Sequence, residues 1–359
     1  MELKCRNVNA ALADGIMYLR TSGITQTSRN GPVLVAPEPV LTVYRKPQER
    51  VLFSPRRDAN PFFHLMEALW MLAGRNDLAW PLYFNSKFGA YSDDGVTVHG
   101  AYGDRWRVGM GFDQLIPIAN ELKNNPESRR CILQMWDATQ EAGQYNDLYK
   151  AIGGGKDVPC NTHVYFLVQD GGTLDMTVCC RSNDIILGAY GANAVHMSIL
   201  QEYVAARAGY AIGTYRQFSN NYHLYTRDFE AHSDGPDWAL WQLAQDVETS
   251  NRYEDGIPPS RVINIDNVDE WDEELSNFFR LCDSNASGKL DWSKFTDQFF
   301  TQCALPMYAA WTERKEKRGT GLAALEPMQT AYRDWYAACK EWIERRELRN
   351  MKLVAPAGS

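Results

Sequence analysis

The spacing of apolar residues in the first two thirds of the chain predicts a mixture of helices and strands. Four segments have apolar positions at helical intervals, which predicts helices over residues 6–22, 62–73, 112–123 and 193–208. Shorter apolar runs bounded by turn residues predict strands over 33–44, 131–136 and 214–219, and two more directly after Cys160. The polar segment 25–31 carries Arg29-Asn30-Gly31 as a predicted turn, and other polar or glycine-containing segments predict a long loop over 137–157 and a small-residue turn over 187–193. The pattern therefore predicts an α+β core.

The character of the chain changes after residue 228. From there, helical spacing combined with many aromatic and charged residues predicts helices over 238–248, 270–282, 295–317 and 322–349. We therefore expect an α+β domain over residues 1–228 and a mainly helical extension over residues 229–359 that packs on it.

One segment of this extension has the spacing of a calcium-binding loop. Residues 283–291 match the first nine positions of an EF-hand loop, including its glycine. The twelfth position of such a loop holds a bidentate glutamate, whereas Lys294 stands there in this chain. We therefore expect an Asx-rich turn between two helices and no calcium site.

Composition limits the classes of function. The 359 residues are 45% hydrophobic and 23% charged, which is typical of a soluble globular protein. A net charge of −8 argues against a general nucleic-acid-binding surface, although local arginines can still bind an anionic small molecule. The eight cysteines include no CxxC pair, which indicates free thiols in a reducing compartment and no metal site. Because no apolar run resembles a signal peptide or a membrane span, we expect a cytoplasmic protein without a membrane partner.

Glu67 lies inside a strongly apolar helical pattern, Leu65-Met66-Glu67-Ala68-Leu69-Trp70. Burying an unpaired carboxylate costs several kcal/mol in effective terms, so a buried Glu67 must be paired or functional. The alternative is that Glu67 lies at a solvated edge of the helix.

Cys160 follows a proline at the end of a polar loop, unlike the cysteines that lie inside apolar strands. A cation beside its sulphur would favour the thiolate, which is the nucleophilic form. Arg181, on a following strand, is the nearest candidate in the sequence. His163 follows at CxxH spacing, but no second ligand pair accompanies it, so a zinc site is not expected.

Several arginines and a histidine–tyrosine pair could bind a phosphorylated nucleoside. Arginine guanidinium groups match phosphate oxygens in pairs, and several must converge to hold a dianion. His223 and Tyr225 are two residues apart on an extended segment, so they face the same side and could both contact a sugar hydroxyl. The candidate phosphate ligands are Arg29, Arg129, Arg130, Arg181 and Ser182.

Taken in order, the motifs of residues 15–228 resemble the thymidylate synthase family. No single motif is decisive, but the ordered set is specific. The set consists of Arg29-x-Gly31, Glu67-x-x-Trp70, Tyr102-Gly103-x-x-Trp106-Arg107, Ser128-Arg129-Arg130, Pro159-Cys160, Arg181-Ser182-x-Asp184-x-x-Leu187-Gly188 and His223-x-Tyr225.

The resemblance implies a fold, two substrates and a set of site residues. It implies an α+β fold with a mixed sheet flanked by helices, in which one sheet face forms a homodimer and Arg129 and Arg130 reach the phosphate in the other subunit. It implies a pyrimidine nucleoside monophosphate and 5,10-methylenetetrahydrofolate as substrates, with no metal. The implied catalytic residues are Cys160, Glu67, Tyr102 and Asp184, and the implied folate contacts are Asp184, Leu187, Gly188 and Phe88.

Departures from the family pattern favour hydroxymethylation over methylation. Asn161 stands where the synthases have a histidine, and Asn220-Asn221 replaces a Gly-Asp pair. The two active-site tryptophans of the synthases are expected near residues 88–92, where Phe88 and Tyr91 stand instead. These changes resemble the nucleotide hydroxymethylase branch, in which water rather than hydride reaches the exocyclic methylene of the intermediate.

The identity of the base depends on which residue of the chain faces it. Counting forward from Asp184 places Ala192 where the synthases have the asparagine that reads uracil, whereas counting back from His223 places Asn193 there. With Ala192 in that position the argument for uracil is lost. The strings Cys160-Asn161 and Arg181-Ser182-Asn183-Asp184 also resemble the cytidylate hydroxymethylases more than the synthases, so the sequence favours a cytidylate, CMP or dCMP. Deoxyuridylate hydroxymethylation read by Asn193, ordinary thymidylate synthesis, and an inactive family member that binds nucleotide or RNA remain alternatives.

Overall fold

A computed structural model describes residues 1–28, 30–138, 146–284 and 291–354 of the chain. Arg29, residues 139–145 of the predicted 137–157 loop and most of the EF-hand-like segment lie outside the described residues.

Eight strands form one mixed sheet with the order β1-β4-β8-β7-β6-β5, in which β3 also pairs with β8 and β2 pairs with β3. The pairs β1–β4 and β7–β8 are parallel, and the other pairs are antiparallel. The strands are β1 Glu2–Cys5, β2 Ile24–Ser28, β3 Gly31–Val35, β4 Val40–Tyr44, β5 Ile132–Gln134, β6 Asn161–Gln169, β7 Thr173–Asp184 and β8 Ala211–Tyr225.

Eleven α-helices of the described chain surround the sheet, which confirms the predicted α+β class. They are α1 Val8–Ser22, α2 Pro61–Leu72, α3 Ala79–Phe84, α4 Tyr102–Arg107, α5 Leu115–Asn124, α6 Asp147–Ile152, α7 Ala194–Ala208, α8 Gly235–Thr249, α9 Val268–Ser284, α10 Leu305–Lys315 and α11 Arg333–Val354. Four 3₁₀ segments, Ser86–Tyr91, Arg227–Phe229, Trp292–Lys294 and Ala323–Met328, and two π-helical segments, Ile185–Asn193 and Phe300–Ala304, complete the described elements.

Local chemistry explains where the two helices nearest the site begin and end. Asn60 caps α2 by accepting a hydrogen bond from the backbone N–H of Phe63, and Pro61 occupies the first turn, where its missing N–H costs nothing. All twelve residues of α2 are buried, which fits its continuous apolar sequence. Gly209 ends α7 in the left-handed region, with φ of 83°.

The structure corrects several predicted elements. Most of the polar segment 25–31 is strand β2, which forms a hairpin with β3 whose last pair is Ser28 with Gly31. The 137–157 segment contains the short helix α6, and β8 is much longer than the predicted 214–219 because it lies between β4 and β7 and pairs along its whole length.

The helical extension is also more interrupted than predicted. Asp297 accepts a hydrogen bond from the N–H of Phe299, so the predicted 295–317 helix starts later and passes through a π-helical turn before Pro306. Proline lacks the N–H that an α-helix needs, which accounts for an irregular turn at that point. Pro327 similarly lies in a 3₁₀ segment that separates α10 from α11.

The extension packs on the α+β core through one continuous cluster of buried apolar residues. The Trp80 ring stacks on Tyr308 and meets Phe279 edge-on, with centroids 5.8 Å and 4.6 Å away, so this tryptophan anchors the extension. Arg20 of α1 pairs with Asp237 of α8 through two hydrogen bonds of 2.6 and 2.9 Å. The boundary near residue 228 stays a prediction.

Candidate active site

Cys160 lies directly before β6, and Arg181 of β7 and Tyr102 of α4 lie on either side of it. The Nη2 atom of Arg181 is 3.7 Å from the sulphur, and the same guanidinium donates to the carbonyls of Pro159 (2.8 Å) and Val158 (2.9 Å). The adjacency predicted for Cys160 and Arg181 is therefore present, because β6 and β7 pair in an antiparallel register. A cation held beside a thiol favours the nucleophilic thiolate.

Tyr102 fixes the backbone on the other side of Cys160. Its hydroxyl oxygen accepts hydrogen bonds from the N–H groups of Cys160 (3.2 Å) and Asn161 (3.1 Å). Burial, and then the negative charge of Cys160, raise the pKa of Tyr102 well above its ordinary value, so the phenol stays protonated at neutral pH. Its O–H proton is left to donate toward a ligand.

A cavity of about 180 Å³ opens beside the Cys160 sulphur. Phe88 and Tyr91, the predicted stand-ins for two tryptophans, both line it, and their rings lie 5.6 Å apart. Tyr91 is 49% exposed, so this wall is open to solvent. Asp157 also lines the cavity and accepts a hydrogen bond from the N–H of Gly100 (2.5 Å). Burial raises the pKa of Asp157.

Glu67 forms another part of the cavity wall and is only 6% exposed. The alternative of a solvated helix edge is therefore wrong, and the buried acid has a neighbour. Its Oε2 atom lies 3.2 Å from Nε2 of His196, a nearly fully buried side chain on α7.

Asp184 and His223 face each other at the carboxyl end of the parallel pair β7–β8. Burial raises the pKa of Asp184. The N–H of Leu187 donates to its Oδ2 atom at 2.8 Å and opposes this shift, because the hydrogen bond stabilises the carboxylate. Burial lowers the pKa of His223, so its imidazole is neutral near pH 7. The His223 and Tyr225 rings meet edge-on at 5.1 Å, as their spacing on one strand face predicts, and the Tyr225 hydroxyl accepts from Asn30 at 3.3 Å.

A second and larger cavity, of about 540 Å³, begins at Asp184 and Tyr225. Its apolar wall includes Leu187 and Phe229, and Arg57 stands at its side with two hydrogen bonds to the Ile186 carbonyl of 3.0 and 2.8 Å. An apolar cleft of this volume with one carboxylate and nearby cations fits a flat heterocycle with N–H donors and an anionic tail. A folate has this chemistry.

Gly188, in the π-helical segment Ile185–Asn193, packs closely against Asn183. A Cβ atom there would come within 2.9 Å of the Asn183 side-chain oxygen, so glycine keeps Asn183 in place. Ser182, predicted to bind phosphate, is half-buried on β7 next to Arg181, where it pairs in register with Asn221 of β8.

A chain of side-chain hydrogen bonds runs behind Cys160 to Asn193. Gln217 Nε2 donates to Asn161 Oδ1 (3.4 Å), and Asn161 Nδ2 donates to Asn193 Oδ1 (3.2 Å). Asn193 Nδ2 in turn donates to Asn183 Oδ1 (3.2 Å), and Asn183 Nδ2 donates to the Ser219 hydroxyl (3.0 Å). All five residues are buried, so the amide of Asn193 is held on both of its polar atoms.

Residues 185–193 form a π-helical segment instead of the predicted turn. A π-helical turn holds one more residue than an α-helical turn and is how a helix absorbs a single added residue, often at a functional site. The forward count to Ala192 and the backward count to Asn193 differ by this one residue. The π-helical segment 185–193 can hold the one residue by which the two counts differ, so it favours the backward count to Asn193.

Arg129 and Arg130 lie far from the Cys160 of their own chain. Both side chains are exposed just before β5, and Arg130 pairs with Glu121 at 3.2 Å. In the β5–β6 register, Ile132 is opposite Tyr165, which extrapolates to Arg130 opposite Leu167. Leu167 is seven residues along the chain from Cys160, which corresponds to about 23 Å at the rise of an extended strand.

Three features of the site were missed from the sequence. His196 is one of six histidines and lies in an apolar helix, which is a signal that a buried imidazole needs a partner. Asp157, in a polar loop, and Gln217, on an alternating strand, carry no comparable signal, because only the folded arrangement brings them to Cys160 and Asn161.

The described part of the chain shows no cluster of histidine, cysteine and acidic side chains suited to a metal ion. Among the described helices, none combines the length and apolar character needed to cross a bilayer.

Comparison with known proteins gives the family. Residues 58–235 match the family model described as thymidylate synthase. A deoxyuridylate hydroxymethyltransferase of Pseudomonas phage M6 is 44% identical over 349 residues, which cover 96% of this chain and 94% of the relative. The chain belongs to the thymidylate synthase family. It is accordingly a one-carbon transferase of a family that binds a pyrimidine nucleoside monophosphate and uses methylenetetrahydrofolate.

Two further relatives show the breadth of the match. A deoxyuridylate hydroxymethyltransferase of Bacillus phage SP01 is 34% identical, with 68% of this chain and 65% of the relative covered. A thymidylate synthase of Streptococcus suis is 27% identical, with 62% of this chain and 72% of the relative covered. Hydroxymethyltransferases and synthases of the family therefore both resemble this chain.

Proposed function

We propose that the protein is a deoxyuridylate 5-hydroxymethyltransferase that uses methylenetetrahydrofolate. The observation that most strongly supports this proposal is the chain of hydrogen bonds that holds Asn193. In this arrangement Asn193 keeps one N–H on Nδ2 and one lone pair on Oδ1 for a ligand. These complement O4 and N3–H of uracil.

Cytosine presents the opposite pattern, an acceptor at N3 and a donor at N4. Reading it would require turning the Asn193 amide and reversing the hydrogen bonds to Asn161 and Asn183, which are buried. A buried donor or acceptor left unpaired costs about 1–3 kcal/mol. This argument replaces the expectation of a cytidylate, for which Ala192 as the base reader was the main ground. Two relatives carry deoxyuridylate hydroxymethylation in their names.

The proposed chemistry begins at Cys160. Its thiolate, with the Arg181 guanidinium beside it, adds to C6 of the pyrimidine and makes C5 nucleophilic toward the one-carbon unit that the folate supplies. The Tyr102 hydroxyl takes part in removal of the C5 proton through ordered water, and Asp184 lies at the mouth of the folate cleft. His223 and Tyr225 hold the sugar, and Arg181 and Ser182, with Arg29, hold the phosphate.

Water capture completes the reaction. The oxygen of water bonds to the exocyclic methylene carbon, the electron pair moves to C5–C4–O4, and one proton of the water goes to Glu67. Re-formation of the C5–C6 double bond then expels the Cys160 thiolate, and the sum consumes one water and yields tetrahydrofolate. Phe88 and the half-exposed Tyr91 leave water access to this wall of the cavity, which favours hydroxymethylation.

Substrate choice is tested by competition. The protein is given an equimolar mixture of dUMP, dCMP and CMP with methylenetetrahydrofolate, and the products are resolved by mass spectrometry. We expect 5-hydroxymethyl-dUMP to exceed the cytidylate products by at least about 100-fold, because a site built around specific hydrogen bonds rejects a mispaired base strongly. Predominant formation of a hydroxymethylated cytidylate would contradict the assignment of Asn193.

We also propose that the active protein is a homodimer formed through an exposed sheet face. Ile132 pairs with Tyr165, and Leu167 lies two residues further along β6, so the three share one face and each is more than 40% exposed. Phe218 of β8 lies on the same face through the pairings of β7. An apolar sheet surface of this kind favours association, and it would bring Arg129 and Arg130 to the partner's phosphate site.

Shared sites predict complementation between two inactive variants. Cys160→Ser lacks the nucleophile, and the double variant Arg129→Ala, Arg130→Ala lacks the borrowed phosphate ligands. In a mixed dimer, one of the two sites would contain every required group, so random exchange should restore about a quarter of the wild-type activity.

Complementation is measured by mixing the two proteins, allowing subunit exchange and following product formation. The control is the Cys160→Ser protein mixed with a variant that also carries Cys160→Ser together with the two alanines, which should stay inactive. Absence of recovery in the first mixture, with exchange verified by native mass spectrometry, would contradict a shared site.

A further inference from the structure

Behind the wall of the Cys160 cavity lies an acid–imidazole pair. Glu67 Oε2 and His196 Nε2 are 3.2 Å apart, and both atoms are completely buried. Among the described residues neither atom has a well-aligned hydrogen bond, so each is the other's available partner. Two buried polar atoms without any partner would cost free energy, and a small rotation of the imidazole pairs them.

The two helices that carry the pair place it next to the chemistry. Glu67 lies on α2 and lines the cavity with Cys160 and Tyr102, whereas His196 lies in the first turn of α7, three residues after Asn193. With Oε2 held at the buried side, Oε1 is the oxygen left for the cavity. The pair thus links the segment around Asn193, the proposed base reader, to Glu67, the acid that faces the reacting carbon.

A second buried histidine, His64, lies on the same helix as Glu67. His64, one turn before Glu67 on α2, is buried, and burial followed by the charges of Arg57 and His196 lowers its pKa well below the ordinary value. His64 is therefore neutral and does not compete for the Glu67 carboxylate as a cation.

We propose that His196 is a positioning residue for the water-capture step, in which its Nε2–H holds Oε2 of Glu67 so that Oε1 accepts the proton of the attacking water. This inference rests on the proposed hydroxymethylation. The water oxygen bonds to the methylene carbon, its proton moves to Glu67, and the electron pair enters the C5–C4–O4 system, so no further reactant is needed. Loss of the donor lets the carboxylate rotate away and slows this step alone.

A matched pair of substitutions separates the donor from side-chain volume. His196→Gln and His196→Met are similar in length and flexibility, but only glutamine carries an N–H at the position of Nε2. Each variant is given [5-³H]dUMP and methylenetetrahydrofolate. Tritium release reports loss of the C5 proton, hydroxymethyl-dUMP reports water capture, and added thiol traps methylene intermediate that water has not captured.

We expect His196→Met to release tritium within about threefold of the wild-type rate but to form hydroxymethyl-dUMP about 10- to 100-fold more slowly, which is the effect of losing a hydrogen bond to a charged group. The trapped thioether should rise correspondingly. His196→Gln should restore hydroxymethyl-dUMP to within about threefold of wild type. Thermal unfolding is measured in parallel, and His196→Leu replaces the methionine variant if that protein is unfolded at the assay temperature.

Equal hydroxymethyl-dUMP formation by the glutamine and methionine variants would overturn the role of His196, as would a matching loss of tritium release and product in the folded methionine variant. The wild-type protein in the same assay tests the proposed function separately. Wild-type formation of a methyl product and dihydrofolate would overturn hydroxymethylation itself, whereas wild-type hydroxymethyl-dUMP with equal variants overturns His196 alone.

Discussion

Cys160→Ser should reduce turnover by at least about 10³-fold while leaving nucleotide binding intact, because removal of a covalent nucleophile eliminates the first bond-forming step. A serine hydroxyl at this position is far less nucleophilic than a thiolate beside Arg181. Turnover is followed as hydroxymethyl-dUMP, and nucleotide binding by calorimetry.

The covalent step can be observed directly with 5-fluoro-dUMP. Fluorine at C5 cannot leave as a proton does, so the adduct with Cys160 and the folate should accumulate and appear in the intact-protein mass. We expect the adduct in the wild-type protein and none in Cys160→Ser.

Cys179→Ser provides the control for this prediction. Cys179 is half-buried on β7, and burial raises the pKa of its thiol, so it is not a thiolate at neutral pH. Its substitution should leave turnover within about twofold of wild type, as is usual for a conservative change away from the reacting groups. Retention of a tenth or more of the activity by Cys160→Ser would contradict the covalent mechanism.

Asn193→Asp should change the preferred base from uracil to cytosine. The new carboxyl group can accept from the N4 amino group of cytosine and, when protonated, donate to N3, but it no longer donates an amide N–H to O4 of uracil. Asn183 can turn its own amide to donate to the new group, because the Ser219 hydroxyl bonded to it can also act as donor. The kcat/KM ratio of dUMP to dCMP should fall by at least about 100-fold.

Ala192→Ser is the matched control for the base-reading prediction. If Asn193 reads the base, adding a hydroxyl at the adjacent position should change the dUMP to dCMP ratio by less than about threefold. A large change in the Ala192 variant together with an unchanged ratio in Asn193→Asp would restore the forward count and the cytidylate interpretation.

Sequence reasoning succeeded where local chemistry decides the structure. The continuous apolar run of α2 and the helical spacing of α7 predict buried helices, and a buried Glu67 follows from the first. Cys160 and Arg181 could be paired in advance because two strand-like runs joined by a short turn form a hairpin.

What could not be predicted depends on register and on a single added residue. The choice between Ala192 and Asn193 turns on a π-helical segment, whose extra residue has no distinctive sequence pattern. The chain from Gln217 to Asn183 exists only because β8, β6 and β7 bring polar residues from distant positions to one layer. The contact between Glu67 and His196 likewise requires the packing of α2 on α7.

The most direct test of the proposed function is one reaction of the wild-type protein with dUMP and methylenetetrahydrofolate in ¹⁸O-labelled water. The product is analysed by mass spectrometry, and dihydrofolate is followed by absorbance in the same sample. Our account predicts hydroxymethyl-dUMP that carries one ¹⁸O atom, with tetrahydrofolate and no dihydrofolate. Formation of thymidylate without the label, accompanied by an equal amount of dihydrofolate, would show hydride transfer and contradict it.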